Sequence, residues 1–446
     1  MVRVRFAPSP TGLLHVGNVR IAIINYLFAK KNSGKFILRI DDTDSERSSK
    51  ELEDLILEDL KWLGIKWDEF YRQSANYSKY KAIFNRLRDS GHVYPCYETK
   101  EELSLKRKIQ ASIGAPPVYD RFALGISEKE RAANEAKGIK PHWRFKLAET
   151  QSMEWEDLVH GKISIHLSSV SDPIVVKPDG TFVDTFASVV DDVDMGITHI
   201  IRGDDHITNT AAQMDIFRAI SGKYPIFAHI PLLLAIDGQD VSKRFGSPLS
   251  IANMREDYIE PLALWHILAT LGTSQDVNYE DDVDALMAKF SFKKMSLSSP
   301  KFNSEEIKLL TKKIIAKKSF DDVKTDLKKL NLKNISQEFW DIVKGNLHTI
   351  KDVVFWESIL YNRINIIKED ENFVTQMLET LEEPINFERW MKNLSQISER
   401  RGKELFHSVR LVLTGLDSGP ALAEMAHLLG YERIKSRIES NLRAKS

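Results

Sequence analysis

A chain of 446 residues exceeds what one ordinary hydrophobic core supports and points to roughly two to four domains. Its hydrophobic share of 42% and charged share of 28% are those of a globular protein, and no stretch approaches the run of about twenty apolar residues that a bilayer span requires. The net charge of −1 supplies no global field for nucleic acid, so such a partner would be held by local basic patches.

Alternation begins at once: Val2, Val4 and Phe6 face one way and Arg3 and Arg5 the other, leaving no room for a targeting peptide, so a cytoplasmic protein is expected. A helix follows from about Asn18 to Asn32, closed by Gly34. Phe36 to Ile40 reads as the next buried strand, with Asp41-Asp42-Thr43-Asp44 at its carboxyl end, where ligands of open α/β sheets bind. Ser48 and Glu51 form a capping box for a second helix with Leu52, Leu55, Ile56, Leu60 and Leu63 on its inner face.

From about Cys96 the pattern changes to a lysine-rich helical stretch, short strands at Trp143 to Leu147 and Ile163 to Leu167, and a turn at Pro178-Asp179-Gly180, which together read as an insertion. Strand signals resume at Ser188-Val189-Val190 and at Thr198 to Arg202, followed by a helix from about Thr208 to Ser221 that Gly222 stops. Beyond about Pro300 helical periodicity continues to the end. Cys96, the single cysteine, excludes an internal disulfide and any zinc site of several thiolates.

Two segments carry the chemistry. Phe6-Ala7-Pro8-Ser9-Pro10-Thr11-Gly12-Leu13-Leu14-His15-Val16-Gly17-Asn18 places His15 at a helix start, where unpaired amides and the positive end of the dipole suit a phosphate and Gly17 allows close approach. By itself such a histidine is as compatible with local hydrogen bonding. The second, Leu234 to Ser247, carries Ser242-Lys243-Arg244 between two glycines, a loop able to close over β- and γ-phosphates. Alone it would read as a solvated basic turn.

Together these segments resemble the HIGH and KMSKS signatures of class I aminoacyl-tRNA synthetases, at His15 to Asn18 and Asp240 to Arg244. The runs Arg5 to Gly12, Leu38 to Asp44, Val190-Asp191-Asp192, Gly196 to His199 and Ile201 to His206 narrow the resemblance to glutamyl-tRNA synthetases. The glutaminyl enzymes typically carry Glu at the position of Ser9. The resemblance extends to Arg401-Gly402-Lys403-Glu404-Leu405-Phe406, Leu413-Thr414-Gly415 and Gly419-Pro420. Lys294-Met295-Ser296-Leu297-Ser298 spells most of the second signature but has Leu297 where the phosphate-binding lysine belongs, and reads as the start of the helical region.

The resemblance implies an α/β Rossmann-type catalytic domain (residues 1–95 and 186–235), an inserted domain for the tRNA acceptor end (96–185), a KMSKS-loop and stem-contact region (236–305) and an all-α anticodon-binding domain (306–446). It implies a ligase that activates glutamate with ATP and Mg²⁺ and passes it to the 3′ end of tRNA for glutamate, glutamine or both, as a monomer. Catalytic roles fall on His15, Lys243 and Arg244. ATP would meet Pro8, Ser9, Thr11, Gly12, His15, Gly17, Asn18, Ser242 and Lys243. The amino acid would meet Arg5, Ala7, Ser9, Asp41, Asp184 and Arg202, with Asp41 on its ammonium and the arginines on its carboxylates.

Four departures stand out. Asp184 occupies the position of the family's tyrosine before Phe186, where a carboxylate would repel the substrate's own; the alignment slips there, or the side chain turns away, or the pocket has changed. Asp41 and Asp204 are each one methylene shorter than the usual glutamate. Asp240 replaces the first lysine of the loop signature. Where many relatives hold zinc, Cys96 is followed by Tyr97 and Glu98, and Tyr119-Asp120-Arg121-Phe122 offers no thiolate, so no zinc is expected.

In the helical part, Lys312-Lys313, Lys317-Lys318, Lys328-Lys329 and Arg400-Arg401 are candidate phosphate contacts, and Phe355, Trp356 and Tyr361 candidate base-stacking partners, though core packing suits most of the aromatics. Competing readings are a catalytically weakened paralogue that binds tRNA or ATP, motivated by Asp184 and Asp240, and a HIGH-type nucleotidyltransferase, against which the long helical end argues.

Overall fold

The computed structural model describes residues 1–44, 46–238, 249–275, 279, 282–332, 335–362 and 364–444. They divide into two compact units, one of residues 1–255 and 264–303 and one of residues 256–263 and 304–446.

The first unit is α/β. Strand β1 (Arg3–Phe6) leads to helix α1 (Val16–Lys31), strand β2 (Lys35–Ile40), helix α2 (Lys50–Trp62), strand β3 (Glu69–Arg72) and helix α3 (Tyr77–Asp89). These strands form a parallel sheet in the order β1-β2-β3, with Val4 opposite Phe36 and Leu38 opposite Phe70. Helix α1 buries Val16, Val19, Ala22, Ile23, Ile24 and Leu27, because sheet and other helices surround it. Its buried polar side chains are satisfied by backbone: Arg20 donates to the carbonyls of Pro231 (2.6 Å) and Leu271 (2.9 Å), and Asn25 to that of Ile201 (3.1 Å). Gly34 follows the helix because a Cβ there would lie 2.5 Å from the Val2 carbonyl oxygen; Ser33 is the residue in the left-handed region.

Strand β4 (Val93–Cys96), helices α4 (Lys100–Ser112) and α5 (Glu128–Ala136), and strands β5 (His142–Phe145), β6 (Ser152–Asp157), β7 (Gly161–His166) and β8 (Ile174–Val176) follow. They make two antiparallel sheets, β4-β5-β8 and β6-β7, while α4 and α5 bury no residue fully, as their polar, lysine-rich sequence anticipates. Helix α6 (Asp184–Asp194), strand β9 (His199–Gly203), helix α7 (Ile207–Ser221) and strand β10 (Ile226–Ile230) complete the parallel layer. Strands β9 and β10 pair in parallel, and the Thr198 amide just before β9 donates to the Arg3 carbonyl at 3.0 Å, setting them beside β1.

Three sequence expectations are corrected. Ser188-Val189-Val190 is helix, not strand: Asp184, Ser188, Asp191 and Asp192 fall on one helical stripe and Phe186, Val189, Val190 and Val193 on another, a period that a three-residue window passes over. The cap of α2 is Ser49, whose hydroxyl accepts the Leu52 amide at 3.2 Å, rather than the Ser48 and Glu51 pair. Lys294 ends a short turn at Phe292–Lys294, and the helical run begins only at Ser304.

The second unit is all helical from Ser304–Lys317 to Leu422–Arg443. Its core gathers Phe339, Trp340, Val353, Trp356, Met377, Trp390, Leu394 and Leu413. Gly419 presses on Trp356, leaving an added Cβ 2.6 Å from the ring, which makes Trp356 a core residue, while Phe355 is exposed. Tyr361 stacks on Phe339 and is covered by Arg433. Among the candidate phosphate contacts, Lys318 pairs with Glu260 (2.7 Å), Lys329 with Asp326 (2.9 Å) and Arg400 with Glu369 (2.5 Å).

Candidate active site

Between β1 and α1 the chain is held by its neighbours. The Pro8 carbonyl accepts the Asp41 amide (3.0 Å) and that of Pro10 the Ser49 amide (3.2 Å), while Ile251 donates to the Leu14 carbonyl (2.9 Å). His15 is the N-cap of α1, and its Nδ1 accepts the amides of Gly17 (3.1 Å) and Asn18 (3.4 Å), with the His15 amide donating to Asn18 Oδ1 (3.3 Å). The expected open amides of this helix start are therefore capped by the histidine itself. Gly17 is required by that ring: a Cβ would lie 2.9 Å from its Cε1 and Nδ1.

This loop walls a cavity of about 840 Å³ at the carboxyl ends of β1, β2, β9 and β10. Arg5, Ala7, Pro8, Ser9, Thr11, Gly12, His15, Gly17, Asn18, Asp41, Asp184 and Arg202 all line it. Ser242, Lys243 and Arg244, with Asp240, lie outside the described residues.

A buried charge network underlies one side. Arg39 grips Asp41 with Nε (2.6 Å) and a terminal nitrogen (3.0 Å), and donates to Asp192 at 2.9 Å. Arg5 reaches the same Asp192 through Nε at 3.1 Å. Asp191 accepts from Tyr80 (2.8 Å) and Asn76 (3.0 Å). Burial alone would lower the pKa of Arg39, but Asp41, Asp192 and Asp191 raise it well above the ordinary value, so it stays charged. Arg39 and Asp192 carried no role in the sequence expectations, although both fall in runs that carry the resemblance, Leu38 to Asp44 and Val190-Asp191-Asp192, and Arg39 is a cation inside the apolar run Phe36 to Ile40.

Arg202 is held differently. Its guanidinium donates to the Thr210 hydroxyl at 2.7 Å; that hydroxyl lies 2.8 Å from His229 Nε2, and His229 Nδ1 lies 2.6 Å from Asp157 Oδ2. Burial lowers the pKa of His229 against the pull of Asp157. Thr210 Oγ1 accepts from Arg202, and its one hydroxyl proton is shared between the His206 carbonyl at 3.0 Å and His229 Nε2. Nε of Arg202 has no hydrogen-bond partner among the described residues, and burial, reinforced by Arg5, pulls its pKa down. Such an undercompensated cation calls for an anion from the cavity.

Asp184 faces the cavity, its Oδ1 accepting from Ser188 Oγ at 2.6 Å, which settles the sequence alternative that it turns away. In the inserted part, Cys96 lies opposite His142 across β4 and β5. The Tyr119 hydroxyl donates to Glu98 (2.9 Å), and Lys106 Nζ sits 3.4 Å from Glu98 and 3.0 Å from Asp120. Burial pushes the Cys96 thiol up to about 12.

Comparison with known proteins agrees with this geometry. Residues 1–312 match the family model for class I tRNA synthetases (E and Q), catalytic domain, and residues 365–442 match an anticodon binding domain. The chain is 44% identical over 443 residues to glutamate–tRNA ligase 1 of Maricaulis maris, covering 98% of this chain and 99% of that one. It is 43% identical over 455 residues to glutamate–tRNA ligase 2 of Bartonella bacilliformis, covering 98% and 100%. The solved glutamate tRNA ligase of Elizabethkingia meningosepticum, in complex with its amino acid, superposes with a TM-score of 0.86 at 26% identity over 100% of both chains. Carrying both the catalytic and the anticodon-binding modules, the chain belongs to the class I tRNA synthetases of the E and Q type.

Proposed function

We propose that this chain is a glutamate–tRNA ligase, which couples glutamate and ATP to glutamyl adenylate and passes the glutamyl group to the terminal adenosine of tRNA. The observation that carries this reading is the single cavity wall that unites the His15 loop with Arg5 and Arg202, a phosphate site beside a dicarboxylate site.

In the first step an oxygen of the substrate α-carboxylate attacks the α-phosphorus, and the bond to the pyrophosphate oxygen breaks. Because Nδ1 of His15 accepts amides, a neutral ring carries its proton on Nε2 and can donate it towards charge growing on the α-phosphate. Lys243, assisted by Arg244, neutralises the departing pyrophosphate. ATP enters as its magnesium complex, a substrate rather than a resident group. Pro8, Ser9, Thr11, Gly12, Gly17, Asn18 and Ser242 shape the nucleotide site, and Ala7 and Ser9 the amino-acid site. In the second step a ribose hydroxyl of the tRNA attacks the acyl carbon, its proton is released, and AMP leaves with the electron pair of the broken acyl–oxygen bond. Positioning and electrostatics supply the acceleration.

The acceptor end would meet residues 96–185 and the anticodon the helical unit. Zinc does not suit the inserted part: its one thiol is held protonated by burial, and the Lys106 ammonium already bridges Glu98 and Asp120. A cytoplasmic monomer completes the reading; among the described residues no helix is long and apolar enough to cross a membrane.

The test is pyrophosphate release from ATP by the purified chain. Release that requires both glutamate and tRNA supports the ligase; ATP turnover indifferent to either refutes it.

A further inference from the structure

An arginine that is to receive a substrate carboxylate has to be fixed in aim yet left with its charge unspent. Arg39 shows what direct contact with acids does: Asp41 and Asp192 occupy its nitrogens. Arg202 is held the other way. Among the described residues the Thr210 hydroxyl, at 2.7 Å, is the one hydrogen-bond partner of its guanidinium, and a neutral oxygen holds a cation without cancelling its charge.

A hydroxyl by itself turns about its C–O bond, so it needs partners of its own to serve as a fixed point. Thr210 stands in helix α7 and faces the carbonyl one turn back, that of His206 at 3.0 Å, and also His229 Nε2 at 2.8 Å. The His229 ring is fully buried and lies nearly parallel to that of Phe227, at 6.1 Å and 11°. Such packing sets the plane of the ring but not which edge faces Thr210. Asp157 decides that. Its Oδ2 lies 2.6 Å from Nδ1, and because a carboxylate only accepts, the ring's proton is held on Nδ1 and Nε2 is left as an acceptor.

Asp157 is the last residue of β6, and its side chain is fully buried. Its Oδ1 accepts the amides of Val159 and His160, both at 3.0 Å, which close the turn into β7, and that of His229 at 3.2 Å. The Leu158 amide in the same turn donates to the Phe227 carbonyl at 3.0 Å. An aspartate in water closes such a turn equally well, whereas a buried carboxylate costs several kcal/mol in desolvation, so the turn alone does not account for this burial. Contact with His229 does. One carboxylate therefore holds the β6–β7 turn through one oxygen and, by way of His229 and Thr210, steadies Arg202 through the other.

We propose that Asp157 and His229 are positioning residues of the amino-acid site, which they serve by coupling the β6–β7 turn to Arg202. The interposed ring and hydroxyl carry orientation while keeping the acid off the guanidinium, whose charge is left for a substrate carboxylate. The coupling is reciprocal: a carboxylate that engages Arg202 also steadies the turn.

This inference rests on the amino-acid site proposed above, and measuring binding apart from transfer separates the two. L-Glutamate and ATP are titrated calorimetrically, each by itself, into the full chain with tRNA present, using wild type, Asp157→Asn, His229→Asn and His229→Gln. Asparagine at 229 keeps a donor near the place of Nδ1 but loses the acceptor facing Thr210, whereas glutamine keeps an acceptor near the place of Nε2 and gives up the bond to Asp157. Asp157→Asn and His229→Asn should weaken glutamate about tenfold and ATP by less than about twofold, while His229→Gln should bring glutamate back to within about threefold of wild type. In wild type, saturating L-glutamate should slow amide hydrogen exchange at Val159 and His160 by about the same tenfold, and Thr210→Val should abolish that slowing. Residues that serve the fold alone give a different order: His229→Asn milder than His229→Gln, or glutamate and ATP weakened together. Either result overturns the proposal, as do a glutamate affinity unchanged in Asp157→Asn, exchange in the turn indifferent to glutamate, and failure of wild type to bind glutamate. ATP binding reports the fold of each variant, and Asp157→Asn, an isostere, carries the test if the histidine variants do not fold. Glutamate bound with this dependence but never transferred to tRNA would sink the ligase reading and leave this one standing. Charging with wild-type glutamate affinity in Asp157→Asn and His229→Asn would do the reverse.

Discussion

Nδ1 of His15 accepts the amide hydrogen of Gly17 at 3.1 Å, so one imidazole both caps α1 and faces the cavity. The first prediction follows from that closeness. A methyl group added at Gly17 would lie 2.9 Å from two ring atoms and must displace the ring. Gly17→Ala should slow adenylate formation by about 100-fold, the cost of misplacing a catalytic group by about 1 Å. Its melting temperature should change little, because alanine is favoured over glycine within a helix. Rapid-quench kinetics and a thermal melt check both; unchanged adenylate formation would remove the ring from the reaction.

Lys243→Ala should depress adenylate formation while leaving stability near wild type, since a loop cation that meets pyrophosphate contributes mainly in the transition state. Pyrophosphate exchange beside a denaturation curve measures this, and unchanged turnover would contradict the role.

Thr210→Val keeps the shape but removes the hydroxyl between Arg202 and His229. Loss of these bonds should destabilise the fold by about 1–3 kcal/mol. The KM for glutamate should rise by about tenfold, the equivalent of about 1.4 kcal/mol, with the KM for ATP unchanged. Equal rises in both constants would mean that the relay supports the fold without aiming Arg202.

Asp192→Asn leaves Arg5 and Arg39 sharing a neutral amide where both now meet a buried carboxylate. Breaking such a pair costs about 3–5 kcal/mol, which urea denaturation resolves. A loss below about 1 kcal/mol would show that the network is dispensable to folding.

His142 supplies a pH dependence. Burial, reinforced by Arg144, lowers its pKa from 6.5 to about 4, and its Nε2 has no hydrogen-bond partner among the described residues. The fold thus favours the neutral ring: its contribution is complete above pH 6.5, where the unfolded chain titrates, and is lost as pH falls towards about 4. The difference amounts to about 3 kcal/mol. His142→Gln should flatten the stability profile across that window and leave the alkaline side unaltered; parallel profiles for the two proteins would contradict the assignment.

What the sequence disclosed and what it hid differ in range. Helix α1, strand β2 and the His15 loop follow from neighbouring residues: two prolines and a glycine in the loop, and apolar-rich runs on either side of Gly34. Arg5 and Arg202 were legible through the runs that carry the resemblance, Arg5 to Gly12 and Ile201 to His206, and both lie near the carboxyl ends of parallel strands on the cavity wall. The ion network could not be read, since Arg5, Arg39 and Asp192 meet only after β1, β2 and α6 have packed together. Helix α6 escaped for a different reason: its polar residues Asp184, Ser188, Asp191 and Asp192 recur at helical spacing, but the β-branched pair Val189-Val190 taken by itself favours a strand. Its misreading as a strand also obscured Asp184 and Ser188, which lie on one face only at helical spacing.

The most direct test of the whole account is a charging assay with the purified chain, ATP, and separated tRNA isoacceptors for glutamate and glutamine, supplied in turn with labelled glutamate and labelled glutamine. The account predicts a labelled aminoacyl ester from glutamate on at least one of the two tRNAs, with AMP released in equal amount, and none from glutamine. Tight tRNA binding without any glutamyl ester, or an ester formed from glutamine, would contradict it.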